Sequence, residues 1–149
     1  MEFSNKGLEL LKELEGFCPK PYADSGGKMT VGYGHLIVPN DGVAGAGDVI
    51  SGVKASQLLV KDIARTVEGV NNAVTNNITQ NQFDALVIFA YNVGVSALNN
   101  STLMRLFNKG DIEGASNQFV RWDMAGGKHI PGLLTRRLNE KSLFLTKEV

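Results

Sequence analysis

The sequence predicts an α+β fold in which a small sheet-bearing lobe and a larger all-helical lobe are joined by a long helix. Three observations carry that expectation. Residues 17–50 are rich in glycine and hold three of the four prolines, Pro19, Pro21 and Pro39, a composition of turns and short strands. From Lys54 onward the apolar residues recur at helical spacing. The chain has 149 residues and is 43% hydrophobic, enough for one core of ordinary domain size.

Each element follows from local chemistry. Ser4 can cap a first helix, Asn5–Gly16, with leucines at 8, 10, 11 and 14. The segment Lys28–Val38 reads as short strands preceded by a turn at Asp24–Gly27, and Gly42–Gly47 reads as a mobile loop. Leu58, Leu59, Ile63, Val67, Val70 and Val74 form one face of a helix over about 54–76. Thr79 and Gln82 have capping-box spacing ahead of an apolar helix, Phe83–Val93. Shorter helices are expected near Thr102–Asn108, Ile112–Arg121 and Leu133–Thr146. The expected organisation is a single domain: a small lobe over about 17–53, the linking helix, and a helical lobe over about 77–149 that includes the first helix. A cleft between lobes is the default place for a site.

Composition narrows the function. Lys plus Arg and Asp plus Glu are 15 each, and no basic stretch is interleaved with aromatics, so a nucleic-acid partner has no support. The single cysteine, Cys18, forms no internal disulfide and no thiolate metal cluster, and His35 and His129 stand far apart. The expectation is an enzyme free of metal and cofactor. No apolar run approaches the roughly 20 residues of a bilayer crossing. The N-terminus lacks the pattern of a signal peptide, so stable membrane insertion is not expected.

Glu15 is the most informative residue. At roughly 100° per residue it lies within about 20–40° of Leu8 and Leu11 on the first helix, an apolar border that suits a general acid and is costly for an unpaired carboxylate. Asp24 follows in a Ser/Gly-rich turn, where a carboxylate stays solvated, although capping the turn is the common use of Asp there. Two carboxyls in contrasting environments match the acid and base of glycoside cleavage. Thr30, Gly32 and Gly34 share one face of a period-two strand, a shelf on which Thr30 can hold a water, with Val31, Tyr33 and His35 on the other.

The spacing Glu15-x8-Asp24-x5-Thr30, followed by Val-Gly-Tyr-Gly-His35, resembles the catalytic signature of the phage-type lysozymes (endolysins) of glycoside hydrolase family 24. The resemblance continues through Gln82–Leu86, Phe89–Gly94, Ser101–Leu103, Arg121–Trp122 and Gly132–Leu133 with Arg136, Arg137 and Glu140, nearly the whole chain. It implies hydrolysis of the β-1,4 bond between N-acetylmuramic acid and N-acetylglucosamine in bacterial peptidoglycan, leading to host lysis. Glu15 would protonate the glycosidic oxygen, while Asp24 and Thr30 position or activate a water, with inversion favoured. The alternative is a lytic transglycosylase forming anhydromuramyl products.

The same resemblance implies substrate contact at Gly34, His35, Leu36, Tyr91, Asn92, Arg136 and Arg137. Tyr91 would stack on a sugar and Asn92 would bond an N-acetyl group. His35 would orient Glu15 or the strand backbone. Arg136 or Arg137 would pair with Glu15, or with Glu140 as a helix neighbour. Trp122 is expected in the core. A monomer is expected, held in the host cytoplasm until a separate holin releases it to the wall in the periplasm.

Overall fold

The computed structural model describes residues 1–24, 27–38 and 49–147. The elements run α1 (Asn5–Glu15), β1 (Cys18–Ala23), β2 (Met29–Gly32), β3 (His35–Leu36), α2 (Gly52–Ala73), α3 (Gln80–Val93), α4 (Val95–Asn99), α5 (Thr102–Asn108), α6 (Ile112–Gln118), a 3-10 turn (Phe119–Arg121), β4 (Met124–Ala125), β5 (Lys128–His129) and α7 (Pro131–Leu145). They divide into two compact units, Glu9–Arg65 and Met1–Leu8 with Thr66–Val149. The expected Gly42–Gly47 loop lies outside the described residues. No helix among those described is long and apolar enough to cross a membrane.

The first unit holds an antiparallel sheet of order β1-β2-β3. Strand β1 was not expected, because Pro19 and Pro21 argue against a strand. They are accommodated because β1 is an edge and its register against β2 is irregular between Cys18 and Tyr22. Beyond that irregularity Tyr22 pairs with Thr30 and Ala23 with Met29. The expected shelf is also corrected. Strand β2 ends at Gly32, and the chain turns at Tyr33–Gly34, so Thr30, Gly32 and Gly34 do not share a face. A Cβ on Gly32 would meet Ala55 Cβ at 3.1 Å, so Gly32 is where the sheet packs against α2. Leu11, Val31, Ala55, Leu58, Leu59 and Ile63 fill this core.

The second unit is built around α3. Every residue from Phe83 to Ala90 is buried, so this helix is covered on all sides, with α7 as its principal neighbour. The expected capping box is present: Thr79 Oγ1 accepts from Gln82 N at 3.1 Å, and Gln82 Oε1 accepts from Thr79 N at 3.0 Å. Phe89, Phe119 and Trp122 meet edge to face, with ring centroids 5.4 Å apart for both Phe89 contacts, and Phe107, Phe119 and Phe144 continue the cluster. Helix α4, five residues after Gly94, carried no periodicity to read. The β4–β5 hairpin was not among the expected elements, although Gly126-Gly127 is a turn signal, and its φ values of 58° and 78° fit a two-residue turn with both central residues left-handed.

Two buried charged groups tie this unit together. Asp84 is fully buried on α3 and accepts from Ser4 N at 3.1 Å, from Ser4 Oγ, and from Gln80 Nε2 at 2.8 Å. Ser4 Oγ in turn accepts from Gly7 N at 3.0 Å, the expected cap of α1. Glu140 on α7 is fully buried and takes both Oε atoms to Arg137 Nη1, at 2.7 and 2.9 Å, and one to Arg136 Nε at 3.2 Å. Burial pushes the Glu140 carboxyl above its ordinary value, and the Arg137 and Arg136 guanidiniums oppose that.

Thr79→Ala is expected to destabilise the fold by about 1 kcal/mol through loss of the cap, measured by urea unfolding. Arg137→Met, which leaves Glu140 short of a partner, is expected to cost about 3–5 kcal/mol in the same assay, whereas Arg137→Met with Glu140→Leu recovers part of that loss. A single variant as stable as the parent would contradict the ion pair's role.

Candidate active site

Glu15 is the last residue of α1, and Gly16 follows at φ 73° with its N–H on Lys12 O at 2.9 Å. A left-handed glycine of this kind ends a helix and turns the chain away. The Glu15 side chain is half-buried. It lies over the β2–β3 turn: a Cβ on Gly34 would stand 3.8 Å from Glu15 Cδ and 3.9 Å from each carboxyl oxygen. Gly34 has φ 78°, a left-handed conformation that disfavours any side chain. The turn therefore offers the carboxyl bare backbone.

Thr30 and Asp24 share the β1–β2 hairpin. Thr30 is 5% exposed, and its Oγ1 donates to Tyr22 O at 3.2 Å across the strand pair. The hydroxyl proton is thus committed, which leaves the oxygen's lone pairs for a donor such as water. Asp24 follows β1 directly and is half-buried. Its backbone N–H donates to Lys28 O at 2.8 Å, and its Oδ1 accepts from Lys28 N at 2.9 Å. Asp24 therefore does cap the turn, and that bond orients its carboxylate.

His35 begins β3 opposite Val31 and is 7% exposed. Its Nδ1 lies 2.7 Å from Asp62 Oδ2 on α2. Asp62 was not singled out from the sequence, yet a signal existed: it stands four residues after Leu58 and three after Leu59, a carboxylate on an otherwise apolar helix face. Leu36, opposite Thr30, is 43% exposed. Lys12 Nζ lies 5.7 Å from the centroid of the Tyr33 ring, and Phe17 packs on that ring at 5.5 Å.

The remaining expected positions lie in the other unit. Tyr91 is half-buried and Asn92 exposed in the last turn of α3, which ends at Gly94 with its N–H on Ala90 O at 2.7 Å. The Arg136 and Arg137 side chains bond Glu140 on their own helix, and Arg136 Nη2 also reaches Ile88 O at 3.3 Å. Arg137 is 1% exposed, donates through Nε to Trp122 O at 2.9 Å and through Nη2 to Asn92 Oδ1, and lies 5.1 Å from the Phe89 centroid.

A recess of about 760 Å³ is lined by Tyr33, Gly52, Val53, Ser56, Gln57 and Val60. It is mostly apolar, and its described lining holds no carboxylate. Among the described residues no group of three or more His, Cys, Asp or Glu could hold a metal ion.

The chain is similar to known endolysins and muramidases. The chain is 42% identical to an endolysin of Bacillus phage B103 over 99% of its own length and 56% of that protein's, so it spans about half of that relative. It is 40% identical to an endolysin of Acyrthosiphon pisum secondary endosymbiont phage 1, covering 97% of this chain and 98% of the relative. The muramidase domain of SpmX from Asticaccaulis excentricus superposes with a TM-score of 0.88 at 36% identity, over 98% of this chain and 99% of that one. The phage lysozyme family model matches residues 12–140, a span running from the turn before Glu15 to the buried Glu140, and the chain belongs to that family of lysozyme enzymes.

Proposed function

We infer that the chain is an endolysin that hydrolyses the β-1,4 bond between N-acetylmuramic acid and N-acetylglucosamine in peptidoglycan. The observation that carries this reading is the Glu15 carboxyl held over the bare backbone of Gly34, where a sugar ring could approach without meeting a side chain. In this mechanism Glu15 gives its proton to the glycosidic oxygen as the bond from C1 to that oxygen breaks. A water attacks C1 from the opposite face and passes a proton to Asp24. Thr30, its own proton committed to Tyr22 O, accepts a hydrogen bond from that water and fixes its approach. A water-mediated displacement of this kind inverts the anomeric centre and needs carboxyls roughly 6.5–9.5 Å apart.

His35 supports the site as a strand residue anchored on Asp62, and Gly34 and Leu36 flank it on the turn and on β3. Tyr91 and Asn92 supply an aromatic face and an amide for the N-acetylated sugars, and the Arg136–Arg137–Glu140 cluster holds the helices beneath them. The protein acts as a monomer, without metal or cofactor. It stays in the host cytoplasm until a holin opens the way to the wall.

Glu15→Gln keeps the shape of the side chain and removes the transferable proton. Turnover on purified peptidoglycan is expected to fall by about 10²–10⁴-fold, with the circular dichroism spectrum and melting temperature unchanged. Retained lysis by a folded Glu15→Gln enzyme would sink the assignment.

A further inference from the structure

The β2–β3 turn gives the rest of the protein little to hold. It reads Gly32-Tyr33-Gly34, and both glycines are left-handed, at φ 69° and 78°, so Tyr33 carries the turn's one side chain. Before Tyr33, Gly32 leans on α2, where an added Cβ would meet Ala55 Cβ at 3.1 Å. After it, Gly34 faces the Glu15 carboxyl.

Two side chains that bracket Glu15 in sequence hold the Tyr33 ring. Lys12, one turn earlier on α1, places Nζ 5.7 Å from the ring centroid. Phe17, two residues beyond Glu15, packs at 5.5 Å with the ring planes tilted by 33°. Both separations lie in the attractive range for a cation and for a second ring. The Lys12 side chain is only 19% exposed and its Nζ is 3.4 Å from Glu9 Oε1. Its carbonyl accepts the Gly16 N–H at 2.9 Å, so Lys12 both closes the end of α1 and grips the turn. A carboxyl on a helix end and a glycine in a separate turn keep a fixed separation only when helix and turn are fastened together. The contacts from Lys12 and Phe17 supply that fastening on either side of Glu15.

We propose that Tyr33 is a positioning residue for the acid: gripped by Lys12 and Phe17, its ring holds the Gly34 backbone against the Glu15 carboxyl, so that the proton is delivered from a set place. Tyr33 acts through Gly34 and α1 and does not touch the sugar. This rests on the reading of Glu15 as general acid, and adds the residue that keeps the acid in register with its turn.

Tyr33→Leu keeps apolar bulk and removes the ring. The experiment measures kcat and KM on solubilised peptidoglycan strands, below the melting transition of each variant. Tyr33→Leu is expected to lose about 10–100-fold in kcat, with KM within about twofold of the parent. Tyr33→Phe keeps the ring and is expected to restore kcat to within about threefold of the parent. Phe17→Leu, at a position 40% exposed, removes one grip without opening the core and is expected to lower kcat about fivefold.

Tyr33→Leu is then combined with Glu15→Gln. With the transferable proton gone its place no longer matters, so Tyr33→Leu is expected to add no further loss on that background. A substitution that merely weakened the fold would lose the same factor on both backgrounds. Equal loss on both would overturn the proposal, as would a KM that rises while kcat holds, or a parent-like kcat in Tyr33→Leu. If Tyr33→Leu does not fold, Phe17→Leu decides, and a parent-like kcat there overturns the proposal. Glu15→Gln as active as the parent would count against Glu15 as the acid, and would overturn this proposal with it.

Discussion

Helix α1 stops at Glu15, and the way it stops governs the site. Gly16 adopts a left-handed backbone that no β-branched residue would tolerate, so the helix ends there with Glu15 as its last residue. The carboxyl then lies against a second left-handed glycine, Gly34, at the one point of the β2–β3 turn where bare backbone is required. Both glycines are demanded by φ, and together they put a carboxyl beside open backbone. The short hairpin adds the other polar groups at fixed register, since the pairing of Tyr22 with Thr30 is what brings the Thr30 hydroxyl to the Tyr22 carbonyl.

The second unit shows what ionic groups cost and why they persist. Replacing a buried ion pair by apolar side chains is often neutral or favourable, so Glu140 and the two arginines are poorly explained by stability alone. Their geometry gives a different account. Arg137 spreads its donors over Glu140, Trp122 O and Asn92, joining α7, the segment after the 3-10 turn and the end of α3 through one planar group. A lysine could not do this, because it lacks the rigid fork. Asp84 has the same character at the other end of α3, where it gathers Ser4 and Gln80.

Much of this was legible in the sequence. The helices α1, α3, α5 and α7 follow from apolar spacing and caps, and the Thr79–Gln82 box was readable in full because both of its bonds are local. The features that escaped depend on partners distant in sequence. Strand β1 contains two prolines and exists because β2 pairs with it. Asp62 gains its meaning only when His35, 27 residues earlier, is brought to it. Arg136 and Arg137 both bond Glu140, of which the spacing on one helix had offered the Arg136 pair. The period-two reading carried Gly34 onto one face with Thr30, and failed because the strand is only four residues long.

The chemistry turns on whether water is the nucleophile, since that is the role given to Asp24 and Thr30 together. The most direct measurement is a digest of purified peptidoglycan in water enriched in heavy oxygen, with the products read by mass spectrometry. Heavy oxygen at the new reducing end of N-acetylmuramic acid is the result this account predicts. Anhydromuramyl products without the label would contradict it, leaving Glu15 as an acid but assigning the attack to the sugar's own 6-hydroxyl.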